Sequence, residues 1–119
     1  MATSGLVLAA AIAIAAASPL ATLEPAFGNT IVTHYPNGKS TRTWLHRDGT
    51  YDGQRANGSY TSGIWRIKSG QLCLTQKKPI YVPVAFCTTI VPGHIGTTWP
   101  ARGLLGEPVR NILVAGGQG

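Results

Sequence analysis

Three histidines, four carboxylates and two cysteines are the side chains through which this 119-residue chain could do acid–base, metal or redox chemistry. His34, His46 and His94 share no H-x-H or H-x-x-x-H spacing, and each falls near a strand end or in a loop, so no metal is expected. General acid–base work by paired carboxylates needs two of them in one cleft. Glu24 lies in an irregular arm, Asp48 in a turn and Glu107 before a proline, which leaves Asp52 alone with a plausible path into a cavity. A two-carboxylate hydrolase is thereby excluded. No G-x-S-x-G is present, and Ser59, Ser62 and Ser69 fit strand or turn positions already. No cofactor motif stands out, and none is expected to bind.

The aromatic and basic residues offer more. Nine aromatic side chains are spread over most of the predicted strands, and in a small barrel some must face the lumen. A flat or amphiphilic ligand could lie against Trp44 and Tyr51, with Arg42, His46 or Arg66 at a rim to meet an acidic group. His94 and Trp99 sit in a glycine- and proline-rich stretch of the kind that carries binding residues on rigid scaffolds. The competing reading is that the aromatics simply fill the barrel and that Trp99 folds back as a plug.

Those residues must be positioned by strands. Asn37-Gly38, Asp48-Gly49, Asn57-Gly58 and Ser69-Gly70 follow one another at spacings of 11, 9 and 12 residues. Such pairs between β-rich runs are strong hairpin signals, because Gly and Asn tolerate the positive φ that a tight turn requires. Strands are expected over 29–35, 40–46, 50–55, 59–68, 71–76 and from 84 to 90, with a short one near 97–99 and a last one over 109–115. Gly63, Trp65 and Ile67 alternate, and Trp65 is the best single core candidate. Seven or eight antiparallel strands leave costly edges unless the sheet curls on itself, so an all-β, up-and-down barrel is expected.

Alternation also bears on the cysteines. Leu72 and Leu74 share one face with Cys73 on the other, and Val84, Phe86, Thr88 and Ile90 share one face with Cys87 on the other. With the apolar residues inward both sulfurs point outward, where antiparallel neighbours are bridged without distorting the backbone. An even count in an exported chain reads as one disulfide; two buried thiols are the alternative if the chain stays inside.

Export is suggested by the N-terminus. The first 23 residues carry no charged side chain, and residues 6–17 (LVLAAAIAIAAA) have the length of a secretory apolar core. Ala15 and Ala17 form an A-x-A site before Ser18, although the segment lacks an early Lys or Arg. A retained anchor through residues 5–23 and a buried alanine-rich helix are the alternatives. The domain plan is a signal or anchor helix over 1–17, a linker arm over 18–27 and the barrel over 28–119. All ten basic and four acidic residues lie beyond the leader, so the barrel carries the +6 charge, which favours phospholipid head groups, acidic polysaccharide or an acidic protein face. Nucleic acid is not expected, since export separates the protein from it.

One turn decides the candidate site. If Asp48-Gly49 is a two-residue loop, His46 opposes Tyr51 and Trp44 shares their face with Arg42 and Arg55. If residues 47–49 form the loop with a glycine bulge, Leu45 opposes Tyr51 and Trp44 turns to the other face. The second register is preferred, because the first sets Arg42 opposite Arg55.

The run from Trp44 to Tyr51 (WLHRDGTY), then Gly63-Ile64-Trp65, Leu72-Cys73 and Cys87, resembles small exported bacterial domains with a lipocalin-like β-barrel. That resemblance covers residues 43–99 and implies fold more than activity; the G-x-W of lipocalins proper, near the first strand, is missing. The function expected is a non-catalytic module of the cell envelope, periplasmic or secreted, that binds an envelope protein or an amphiphilic or anionic ligand. A membrane enters only if the N-terminal segment is retained, which would make the chain an anchored accessory subunit. A cofactor-free isomerase or cyclase using Tyr51, His46 and Asp52 on an apolar substrate is the alternative from a different class.

Overall fold

Eight strands form one antiparallel sheet in the computed structural model, which describes residues 18–91 and 93–117. The segment read as a leader or anchor, 1–17, lies outside the described residues. The strands are β1 (Thr30–His34), β2 (Ser40–Leu45), β3 (Thr50–Gln54), β4 (Tyr60–Lys68), β5 (Gln71–Lys78), β6 (Phe86–Thr89), β7 (Thr98–Arg102) and β8 (Pro108–Val114). Their order, β6-β5-β4-β3-β2-β1-β8-β7, is a meander in which β8 returns to pair with β1. The sheet therefore curls into a nearly closed barrel, with β6 and β7 as facing edges that share no ladder. Pro100 lies on β7, where its missing N–H costs least and discourages pairing with another chain.

The turns explain the register. Around Asn37, Asp48 and Asn57 the same five-residue unit recurs, closed by bonds from Tyr35 N to Lys39 O, His46 N to Thr50 O and Arg55 N to Ser59 O. In each, the Asx side chain accepts the amide two residues on, and only the glycine takes a positive φ. These are three-residue loops with a glycine bulge, not two-residue loops. At Asp48 the hydroxyl and amide of Thr50 hold the carboxyl below its ordinary value. The two-residue form occurs at Ser69-Gly70, where φ is 52° and 75°.

The bulge at Gly49 settles the β2–β3 register: Leu45 opposes Tyr51 and Trp44 opposes Asp52. From there the alternation runs round the barrel, interrupted by an irregularity in the β4–β5 pairing between Ser62 and Gly63. Ile31, Thr33, Thr43, Leu45, Tyr51 and Gly53 face inward, as do Trp65, Leu72, Leu74 and Phe86 and, across the seam, Trp99, Val109, Asn111 and Leu113. Cys73 and Cys87 are direct partners on the outer face and form the disulfide, with Cα atoms 4.0 Å apart. Leu45, at 2% exposure, is the most deeply buried large side chain among the described residues; Trp65 packs at the edge of the core, donating its indole N–H to His46 O at 2.7 Å.

Residues 18–27, expected as a linker arm, are instead helical and part of the core. Ser18 caps a single α-helical turn, α1 (Pro19–Leu23), by accepting from Ala21 N, and a 3-10 turn (Glu24–Ala26) follows. Leu23 and Ala26 are buried against Leu45, Tyr51, Leu72 and Leu113, which closes one end of the barrel as a floor. Arg47 in the β2–β3 turn fixes this plug: it pairs with Glu24 and lies 4.8 Å over the Phe27 ring, which itself stacks at 5.7 Å on Trp65. Two short turns with a proline in each leave no 3.6-residue pattern to read, which is why the sequence alone suggests a linker.

Candidate functional site

The barrel interior is not packed solid. A cavity of about 310 Å³ runs from the helical floor towards the opposite end, where the turns of β1–β2, β3–β4, β5–β6 and β7–β8 form an open mouth. At about 30 Å³ per water, its volume is that of roughly ten waters, near the lower end for a small-molecule site. The space exists because many inward positions carry small residues: Thr33, Thr43, Gly53, Thr61 and Ala101 all line it. Leu72, Leu74, Phe86, Trp99 and Val109 add apolar lining.

Tyr51 is seated by two glycines. A Cβ at Gly63 would lie 2.9 Å from Tyr51 Cε1, and one at Gly53 would lie 3.9 Å from Cε2, so the ring rests on bare backbone. The residue is 7% exposed, and its hydroxyl has no hydrogen-bond partner among the described residues. Burial pushes its pKa above the ordinary 10.0, partly offset by the Arg55 guanidinium, so near neutral pH the group is a protonated donor. Arg55 follows the end of β3 at the mouth and lines the same cavity.

Asn111 is the second polar group. It is 7% exposed, in the middle of β8, between the inward Val109 and Leu113. Its Oδ1 accepts from Thr33 Oγ1 at 2.6 Å, while its Nδ2 has no protein partner among the described residues. An amide N–H₂, a phenolic O–H and, at the rim, a guanidinium thus line one largely apolar chamber. Donors without an acceptor suit a ligand that brings one, such as a carboxylate.

Of the seven candidate residues, the cavity lining includes Tyr51, Trp99 and Arg42, the last on an outward-alternating position of β2. Trp44 is on the outer face, buried, with its indole N–H donated to Thr30 Oγ1 at 2.8 Å; Thr30 in turn donates to Gly116 O and ties down the C-terminal end. His46 is also outside, its Nε2 2.7 Å from Asp52 Oδ2. Tyr51 and the His46–Asp52 pair are therefore on opposite faces of the sheet and do not converge on a substrate. Arg42 and Arg66 alternate onto the outer face and are exposed, and His94 is exposed in the β6–β7 loop at the floor end, its amide held by Thr97 Oγ1. Among the described residues no three His, Cys, Asp or Glu side chains group as metal ligands would. Sequence reading misses Asn111 and Arg55, although the alternation Val109-Asn111-Leu113 does place an amide among core positions. Comparison with protein-family models, curated proteins and solved structures finds no match to this chain.

Proposed function

We propose that this protein is a non-catalytic, exported β-barrel module of the cell envelope that binds a small amphiphile carrying an acidic group. The apolar part lies along Leu72, Leu74, Phe86 and Trp99, and the acidic group accepts from Asn111 Nδ2 or Tyr51 Oη with Arg55 at the rim. The observation that carries this reading is Asn111, 7% exposed in the cavity wall, whose Oδ1 is taken by Thr33 while its Nδ2 has no acceptor among the described residues. Among the described residues no fully buried side-chain nitrogen or oxygen lacks a partner, so Nδ2 is open to the cavity, where an acceptor on a ligand can reach it. Export is supported by the outer-face disulfide and by the apolar N-terminal sequence. The likeness to lipocalin-like exported barrels points the same way.

Isothermal titration calorimetry with decanoate and with decanol, which share a chain and differ in head group, tests the assignment. Decanoate is expected to bind one to one, and Asn111→Leu to weaken decanoate about tenfold while affecting decanol less. Equal affinity of wild type and Asn111→Leu for decanoate would sink the proposed head-group site.

A further inference from the structure

The mouth of the barrel differs in chemistry from its floor. Seven of the nine large hydrophobic side chains exposed on the described surface are at the mouth end, led by Leu105 at 91%, Leu104 at 80%, Val84 at 76% and Ile80 at 70%. Charge is divided along the same axis. Lys39, Arg55, Lys77, Lys78 and Arg102 flank the mouth turns, Arg42 and Arg110 lie just below them, and Glu107 is the one acid there. The floor half carries Arg47, Arg66 and Lys68 against Glu24, Asp48 and Asp52. The formal +6 of the chain therefore belongs to the mouth half, and the floor half is neutral.

The β7–β8 turn shows that its leucines are not there for the turn. Residues 103–107 repeat the five-residue unit, with bonds from Gly103 N to Glu107 O and from Gly106 N to Gly103 O and a positive φ at Gly106. Where the three other turns place Asn37, Asp48 and Asn57 as side-chain caps, this one places Leu105. A leucine cannot accept the amide two residues on; the local side-chain bond here runs the other way, from Leu105 N to Glu107 Oε1 at 3.0 Å, which leaves the leucine side chain as an apolar tip. On the β6 side of the seam, residues 79–85 present Ile80, Val82 and Val84, with Lys77 Nζ 4.8 Å over the Tyr81 ring.

We infer that this rim docks the barrel, mouth first, on a bilayer surface containing anionic phospholipid. The apolar side chains sit on separate protruding tips, which a fluid acyl layer accepts without the shape complementarity a protein partner needs. A ring of Lys and Arg behind them is placed to meet lipid phosphates at head-group depth. The cavity opens within this ring, since Val82, Val84 and Leu104 line both, so a docked barrel would open onto the acyl layer. This contact requires nothing of residues 1–17, and it is read without any ligand in the cavity.

Co-sedimentation of the full chain with phosphatidylcholine vesicles, with and without phosphatidylglycerol, tests it. The wild type is expected to bind the anionic vesicles, and raised salt to release it. Leu104→Ser/Leu105→Ser and Lys77→Gln/Lys78→Gln should each lower the partition constant about tenfold, with Leu20→Ser on the floor side as an unaffected control. Unchanged far-UV circular dichroism will show that the variants are folded. The inference is overturned if the tip variant binds as the wild type does, if phosphatidylglycerol makes no difference, or if the wild type binds no vesicle, which would leave the rim to an acidic protein.

Discussion

Replacing Gly63 by alanine should damage both the fold and the cavity, and the size of the effect follows from two distances. A Cβ at this position would stand 2.0 Å from Thr75 O and 2.9 Å from Tyr51 Cε1. The first obstacle is backbone, next to the irregularity in the β4–β5 pairing between Ser62 and Gly63, so no side-chain rotation relieves it. Overpacking costs about 1–3 kcal/mol, and an obstacle that cannot rotate away puts Gly63→Ala at the top of that range. For a domain of this size about 3 kcal/mol corresponds to a fall in Tm of roughly 12–24 °C. Gly58→Ala is the matched control: its φ is 89° and nothing lies within 4 Å, so only left-handed strain of about 1–2 kcal/mol applies. Thermal unfolding followed by circular dichroism under oxidising conditions gives both values, and decanoate titration of Gly63→Ala should show weakened binding because Tyr51 loses its seat. A Gly63→Ala protein melting no lower than Gly58→Ala would refute the close seating of Tyr51 on the β3–β4 backbone.

Other consequences are as specific. Cys73→Ser/Cys87→Ser opens a loop of sequence separation 14 and should cost about 3 kcal/mol, read as a lower urea midpoint that reductant no longer shifts. Leu45→Ala removes the most buried large side chain among the described residues and should cost about 2–5 kcal/mol by the same measurement. Burial raises the Tyr51 pKa in the folded state, so its contribution to stability is complete below the unfolded value near 10.0 and is lost as pH rises through the higher folded value. Urea midpoints between about pH 9 and 11.5 should therefore fall more steeply for wild type than for Tyr51→Phe, and parallel curves would contradict the assignment.

Much of this architecture can be read from local sequence. The Asx-Gly and Ser-Gly pairs mark four of the hairpins, and the period-2 pattern around Cys73 and Cys87 places both on one outer face and in direct register. That works because turn chemistry and alternation are local. The β2–β3 register follows from keeping Leu45 and Tyr51 inside, and with it the removal of Trp44 and His46 to the outer face. The helical plug was hidden because five residues of α1 and three of 3-10 turn are held by burial of Leu23 and Ala26, a tertiary effect. The candidate site is only half readable. Tyr51 and Trp99 fall inside by alternation, but the value of Asn111 depends on β8 pairing with β1, which sets Thr33 beside it. The rim is less readable still: the 79–85 loop and Leu104 lie in separate turns and reach the same end only because the meander closes with every odd-numbered strand ending at the mouth.

The central claim is that an acidic amphiphile enters the barrel and accepts from the Asn111 side-chain N–H₂, which has no acceptor among the described residues. Its most direct test is the side-chain amide resonance of Asn111 in the ¹H–¹⁵N spectrum, assigned by its loss in Asn111→Leu and followed as decanoate is added. The account predicts a downfield shift that saturates at one equivalent, as Nδ2 gains a charged acceptor. A resonance that stays in place while decanoate saturates the protein would contradict it, because the ligand would then be bound somewhere other than beside Asn111.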